Sequence, residues 1–321
     1  VTRLDEYLKY QKASFEIGDV DPGYSMLLYV CDRFELNREQ RYWIAWLYAM
    51  TYCGASAFYL YNEFPDFERV DVGRMRRWWE ARGRDEMIVQ TDRRWVRSSN
   101  MFVPAFESYR DLISGRDQHE YFDSLCWADT PEKRYENVYG ATSNLYSFGQ
   151  FAMFLYLEAL HTITPTDLMP TDLDLDKAWS CRNGLYYAYG RDDLVEDEET
   201  RIRPDAVADT DRYWTDLKLR TTQFTSERPT IWQTETLLCA YRKWHRGKRY
   251  VGYYLDRQAQ EIAKMSEKVP RGVRWEVLWD YRSENLKRDA LAELHDGLKP
   301  TGALRSWWKE QQLEKTREAL R

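Results

Sequence analysis

The segment I-W-Q-T-E-T-L-L-C-A-Y-R-K-W-H, opening at Pro229-Thr230, reads as a strong helix with Glu235 in an otherwise apolar setting. Cys239 stands one turn further on and shares its face, as Trp232 does with Thr236. A carboxyl withdrawn from water holds its proton more tightly, which suits it to general-base work. The commoner use of such a group is to pair with an arginine of a neighbouring helix. Directly beyond, residues 242 to 249 (R-K-W-H-R-G-K-R) bring six basic or potentially basic groups with no acid among them. Cations at a helix C-terminus complement its dipole, but this run, with Arg246, Lys248 and Arg249, exceeds what capping requires.

A second basic run spans residues 71 to 97, where eight arginines stand against five acids and are interleaved with Trp78, Trp79 and Trp95. Arg74, Arg76, Arg77, Arg93, Arg94 and Arg97 offer phosphate neutralisation beside stacking surfaces, a pairing suited to nucleic acid. The plainer account is a solvated helix face, and M-R-R-W-W-E-A-R-G ends as a helix does, on Gly83. Arg33, Arg38 and Arg41 gather at another helix start, where cations oppose the dipole. An anion would use them there; so would open water.

These groups need elements to position them, and the central one runs from Asn137 to Gly190. Leu145 to Leu160 is apolar or aromatic on nearly every side, which predicts a helix with no wet face. Its opening carries Asn144, Tyr146, Ser147 and Gln150, either a pocket floor or ordinary helix-start chemistry. A second central helix is predicted over R-Y-W-I-A-W-L-Y-A-M-T-Y-C-G-A-S-A-F-Y-L-Y, where Trp43, Trp46, Leu47, Met50 and Tyr52 surround the axis. Asn37 and Gln40 form a capping-box pattern before it. Shorter helices are expected over residues 1–17 (closed by Gly18), 24–34, 100–113, 118–127 and 253–268. Another face is expected from Trp275, Leu278, Trp279 and Arg282, and a peripheral helix over 304–321. Between the central helix and A-W-S-C-R-N-G-L lies a loop with Asp167, Asp172, Asp174 and Asp176. It lacks the Gly and closing Glu of an EF-hand, so capping and solvation account for most of it: Mg²⁺ is a minor alternative and no metal or other cofactor is expected. Asp176 is a plausible N-cap, and Arg-Asn-Gly at 182–184 a plausible helix end.

Composition narrows the class. In 321 residues there are 14 Trp and 24 Tyr but only 15 Gly and 10 Pro, against a many-stranded protein with frequent turns. The reading is an all-α, mostly helical chain: a helical core over 1–191, a charged linker or excursion over 192–210, and a C-terminal helical extension over 211–321 packing on the core. A net charge of −6 excludes a uniformly basic coat but not a local basic face. Five scattered cysteines show no C-x-x-C spacing, and four separated histidines form no H-E-x-x-H motif, which fits reduced thiols in a cytosol. No apolar run suggests a membrane. G-x-x-x-x-G-K-[ST], G-x-G-x-x-G and G-x-S-x-G are all missing, which excludes the enzyme classes they define.

Four segments, N-R-E-Q-R-Y-W-I-A-W-L-Y-A-M-T-Y, Y-G-A-T-S-N-L-Y-S-F-G-Q-F-A-M-F-L-Y, A-W-S-C-R-N-G-L and T-I-W-Q-T-E-T-L-L-C-A-Y-R-K-W, resemble the bacteriophage α-glutamyl/putrescinyl-thymine pyrophosphorylase group, also described as amino acid:DNA transferases. The likeness spans roughly residues 30 to 245 and implies a single large helical domain, distantly DNA-glycosylase-like, although S-F-G-Q-F lacks the G-x-G of a glycosylase hairpin. It implies an enzyme of the infected bacterial cytoplasm. The substrate would be double-stranded phage DNA carrying pyrophosphorylated 5-hydroxymethyluracil, whose pyrophosphate is replaced by an amino acid or polyamine to give hypermodified thymine. Under that resemblance Arg182 and Lys243, with Arg41, would hold the pyrophosphate, and Glu235 would be the base. Asn144, Tyr146, Ser147, Gln150 and Asn183 would line the pocket of a flipped base, and the two basic runs would follow DNA. The alternatives are a non-catalytic DNA-binding or scaffold protein and a glycosylase acting on a modified pyrimidine.

Overall fold

The computed structural model describes residues 2–98, 100–196, 201–224 and 229–286, and every regular element among them is helical. The helix expected over 304–321 lies outside the described residues. Helix α1 is Arg3–Ile17, α2 Gly23–Arg33, α3 Arg38–Thr51 and α4 Gly54–Glu63. Shorter pieces follow: α5 Val72–Trp78, a π-turn Trp79–Gly83, α6 Arg84–Glu86 and α7 Arg94–Ser98. Then come α8 Phe102–Ile113, α9 Gln118–Leu125, α10 Pro131–Thr142 and α11 Gln150–Ile163. The chain continues with α12 Trp179–Ala188, α13 Val207–Phe224, α14 Ile231–His245, α15 Tyr253–Lys268 and α16 Glu276–Asn285.

Local chemistry sets many boundaries. Thr2, Asn37 and Thr230 close reciprocal capping boxes with Asp5, Gln40 and Gln233, satisfying amides that a helix start leaves open. Gly18 ends α1 at φ 76°. The N-terminus of α15 is capped from the far end of the chain: the buried Asp19 carboxylate accepts the amides of Gly252 (2.7 Å), Tyr254 (2.8 Å) and Leu255 (3.1 Å).

Several expectations change. The expected long second central helix is two helices, because Tyr52 turns left-handed at φ 48° and Cys53 is extended. The Thr51 hydroxyl donates back to the Leu47 carbonyl at 3.2 Å, holding the break. The buried helix α11 starts at Gln150 rather than Leu145, since Ser147 sits at φ 68° and Gly149 is its extended N-cap. Gly83 is not a left-handed cap. It is helical at φ −55°, where a Cβ would collide with the Trp78 indole. Asp176 does not cap α12, whose N-cap is Ala178, and Arg182-Asn183-Gly184 lies inside that helix.

Two apolar clusters form the core. The larger gathers α2, α3, α4, α8, α11 and parts of α15 and α16 around Trp43 and Trp46, stacked at 5.1 Å, with Tyr109 stacked on Trp46 at 5.2 Å. The second joins α1, α12, α13 and α14, so the first helix packs with late ones. Phe154 of α11 touches both clusters. Within the second, α12 and α14 meet backbone to backbone at Gly184, where an added Cβ would stand 2.7 Å from the Leu238 carbonyl carbon and closer still to its oxygen. Neither atom can move without moving α14.

Gly184→Ala is therefore expected to destabilise the fold by about 1–3 kcal/mol through overpacking, read as a lower urea midpoint. An unchanged midpoint would show that the two helices have slack at this contact.

Candidate functional site

A cleft of about 970 Å³ opens between the two clusters. Gln150, Phe151 and Phe154 of α11, with Tyr135 and Tyr139 of α10, make an aromatic wall. Opposite stand Trp179, Ser180 and Cys181 of α12 and Glu235, Cys239, Arg242 and Lys243 of α14, with Arg249 and Tyr254 completing that side. The α12–α14 contact therefore fixes the polar wall, while α11 fixes the aromatic one.

The polar wall holds two cations without an ion-pair partner among the described residues, Lys243 and Arg249, and the acidified Cys239 thiol is the counter-charge that Lys243 feels. Arg249 is only 6 % exposed, its guanidinium lies over the rings of Tyr254 (4.4 Å) and Tyr253 (4.9 Å), and its buried Nη1 has no hydrogen-bond partner. Arg242 lies over Trp179 at 4.1 Å and donates to Ser180 Oγ at 3.0 Å. Burial, then the adjacent Arg249 charge, lowers the Lys243 ammonium to about 8. A buried donor without an acceptor is costly, and an anionic ligand is what removes the cost.

Beside them lies a compact polar cluster. Cys181 Sγ is 3.4 Å from Cys239 Sγ, and Glu235 Oε1 is 3.2 Å from the first and 3.1 Å from the second. Burial pushes the Glu235 carboxyl well above the usual carboxylate range. The Cys181 thiol, hydrogen-bonded to Cys239, draws the latter down to about 6, while Cys181 itself is raised. One proton shared between two sulfurs produces this split.

The expected site residues divide. Glu235, Lys243, Gln150, Arg94 and Arg249 line the cleft. Arg182 does not: it is 0 % exposed and donates to the carbonyls of Leu175 (2.6 Å) and Asp176 (2.8 Å) and to Glu196 Oε2 (2.7 Å). Asn183 is likewise buried, exchanging bonds with the Glu196 backbone. These two side chains anchor the segment after α12. Arg41 is bound on another face to Asp32 (2.6 Å) and the Leu36 carbonyl. Asn144 and Tyr146 are exposed, the Ser147 carbonyl accepts from Arg93 at 2.6 Å, and none of the three lines the cleft. Arg93 is itself buried against Phe148, and Arg76 pairs with Glu107. Arg74, Arg77, Arg97, Arg246 and Lys248 are exposed, as is Trp95, 66 % accessible beside Arg94.

The aspartates of the loop have protein partners. Asp167 pairs with Arg134, Asp172 accepts from the Trp214 indole, Asp174 binds Gln150 and Lys177, and Asp176 accepts the Ile202 amide. The sequence places Arg242 only within a basic run along DNA and gives no role to Cys181, Tyr135, Tyr139 or Tyr254, yet all five line the cleft. For Arg242 the signal was its place beside Lys243; Cys181 is 58 positions from Cys239 and carries no local signal.

A family model described as "Amino acid:DNA transferase" matches residues 16–250. The chain is similar to a serinyltransferase of Salmonella phage ViI, 26 % identical over 283 residues, covering 79 % of this chain and 66 % of that protein's length. No solved structure matches. Among the described residues no helix is long and apolar enough to cross a membrane.

The cleft electrostatics have a direct readout. At pH 8 about half of Lys243 should be neutral, against roughly 0.4 % of a free lysine, so acetylation of Lys243 should rise with a midpoint near pH 8. Arg249→Met removes a like charge and should move that midpoint upward. A wild-type midpoint matching exposed Lys248, or no movement in the variant, would contradict the cation cluster.

Proposed function

The chain belongs to the amino acid:DNA transferase family, and from that premise we propose that it replaces the pyrophosphate of 5-(pyrophosphoryloxymethyl)uracil in phage DNA with an amine, giving a hypermodified thymine. The observation that carries this reading is the pair of cations, Lys243 and Arg249, without ion-pair partners among the described residues on the wall of a cleft large enough for a nucleotide and a small co-substrate.

The reaction makes three demands. The departing pyrophosphate gathers negative charge, which fixed cations in a partly dry site stabilise better than water does. Lys243 and Arg249 take that role, with Arg242 beside them. The nucleophile arrives as an ammonium and must lose a proton before it attacks. Glu235 is the carboxyl of the polar wall, and its Oε2 has no hydrogen-bond partner among the described residues, so in its ionised form it accepts that proton. The base has to leave the duplex stack to reach the cleft; Tyr135, Tyr139 and Phe151 then receive its faces. Attack of the amine nitrogen on the exocyclic methylene forms the C–N bond as the C–O bond breaks, and pyrophosphate leaves with the electron pair.

The similar phage protein is named a serinyltransferase, so an α-amino acid, serine first, is the co-substrate proposed. Exposed Arg94 and Arg97 follow the DNA backbone, and Trp95 between them stacks on a base or fills the gap it leaves. A carboxylate pairing with Arg242 would orient the amino acid.

Incubation of the protein with pyrophosphorylated DNA and a panel of amines, followed by nucleoside mass spectrometry, is expected to show one aminated thymidine with matching pyrophosphate release. Glu235→Gln should lower turnover by about 10²–10⁴ with DNA affinity retained. Trp95→Ala should weaken DNA binding by about 1–3 kcal/mol. DNA binding with no amination by any amine would leave a binding protein in place of a transferase.

A further inference from the structure

The cluster on the cleft side of the α12–α14 contact has a geometry that general-base chemistry does not require. Cys181 Sγ, Cys239 Sγ and Glu235 Oε1 form a triangle with edges of 3.4, 3.2 and 3.1 Å. Two of these donors sit at i and i+4 on α14; the third comes from α12, which Gly184 locks against α14. All three residues line the cleft. The geometry points to a site for one thiophilic divalent cation of the zinc class, with Cys181, Cys239 and Glu235 as its protein ligands and a fourth position open to the cleft.

Distances support it. A tetrahedral ion with bonds of about 2.3 Å to sulfur and about 2.0 Å to oxygen sets its donors about 3.5–3.8 Å apart. The triangle expands to that size by shifts of a few tenths of an ångström at side-chain tips. Donor type supports it as well: two thiolates select a soft ion over Mg²⁺. The aspartates of the loop are held by Arg134, Trp214, Gln150, Lys177 and the Ile202 amide instead. Charge also fits. Two thiolates and a carboxylate leave a bound divalent ion with one net negative charge, and Lys243 and Arg249 stand on the same wall to offset it.

Three protein ligands with an open position are the arrangement of a catalytic rather than a structural metal site. Binding is an exchange: the cation enters and the proton held between the two sulfurs leaves, with another wherever the Glu235 carboxyl is neutral. The site does not rest on the transferase reading, because it is tested without DNA or amine.

The test is titration of the chelator-washed, reduced full chain with cobalt(II), followed by zinc. The expected result is about one cobalt per chain, with near-ultraviolet thiolate-to-cobalt charge transfer, strong visible bands of a tetrahedral ion, and loss of both on adding zinc. Cys181→Ser and Cys239→Ser should each remove the charge-transfer band. Glu235→Gln should weaken binding about tenfold or more, and Cys126→Ser, away from the cleft, should change nothing. No charge-transfer band in the wild-type chain would overturn the assignment whatever the variants do. So would a band that survives both cysteine variants, or a Cys181–Cys239 disulfide as the stable state under reducing conditions. Metal binding without amination would sink the transferase reading alone; amination with no metal bound would sink this one alone.

Discussion

The backbone contact between α12 and α14 is the constraint from which the cleft follows. Helices carrying side chains at their crossing keep axes about 8–10 Å apart; Gly184 removes one side chain and lets its helix rest directly on the Leu238 carbonyl. That approach carries Cys181 to Glu235 and Cys239, which helical spacing already places side by side on α14. It also fixes the wall on which Arg242 and Lys243 stand. Arg182, on another face of the same helix, ties the following segment down through Glu196 and two carbonyls, so α12 is held from both sides.

Against that wall the larger aromatic cluster presents α11 and α10, and the contrast between the two walls gives the cleft its character. One offers flat rings beside the Glu136 carboxylate; the other offers Lys243 and Arg249, which have no ion-pair partner among the described residues. Elsewhere many cations have been paired: Arg38 with Asp123, Arg41 with Asp32, Arg134 with Asp167, Arg191 with Asp193 and Asp209. Such exposed pairs contribute little individually. Leaving Arg249 buried with Nη1 unpartnered costs stability, and a cost kept at the rim of a large cavity is what a site for a charged ligand looks like.

Much of the fold was legible in the sequence because its signals are local. Asn37 with Gln40, Pro229-Thr230, and Gly18 after an amphipathic run each act within a few residues, and the helices begin or end there. The break at Tyr52 was not legible: an apolar run through T-Y-C-G reads as continuous helix, and tertiary packing turns one residue left-handed. Gly184 misled for a related reason. Locally it resembles a helix end, but its missing side chain serves a contact 54 positions away. In the site, spacing on one helix revealed Glu235 and Cys239 together, whereas Cys181 entered only through the fold. Arg182 illustrates the remaining limit: residue type suggested an anion ligand, and only the direction it takes from α12 shows that it binds Glu196 instead.

Lys243 and Arg249 are proposed as the seat of a pyrophosphate. Calorimetric titration of the wild-type chain and of Arg249→Met with inorganic pyrophosphate tests it most directly, because methionine keeps stacking area against Tyr253 and Tyr254 while removing the charge. Binding to the wild type is expected, with a loss of about tenfold or more in the variant and with pyrophosphate competing against the modified DNA. Equal affinity in the two proteins, or pyrophosphate bound alongside that DNA without competition, would contradict it.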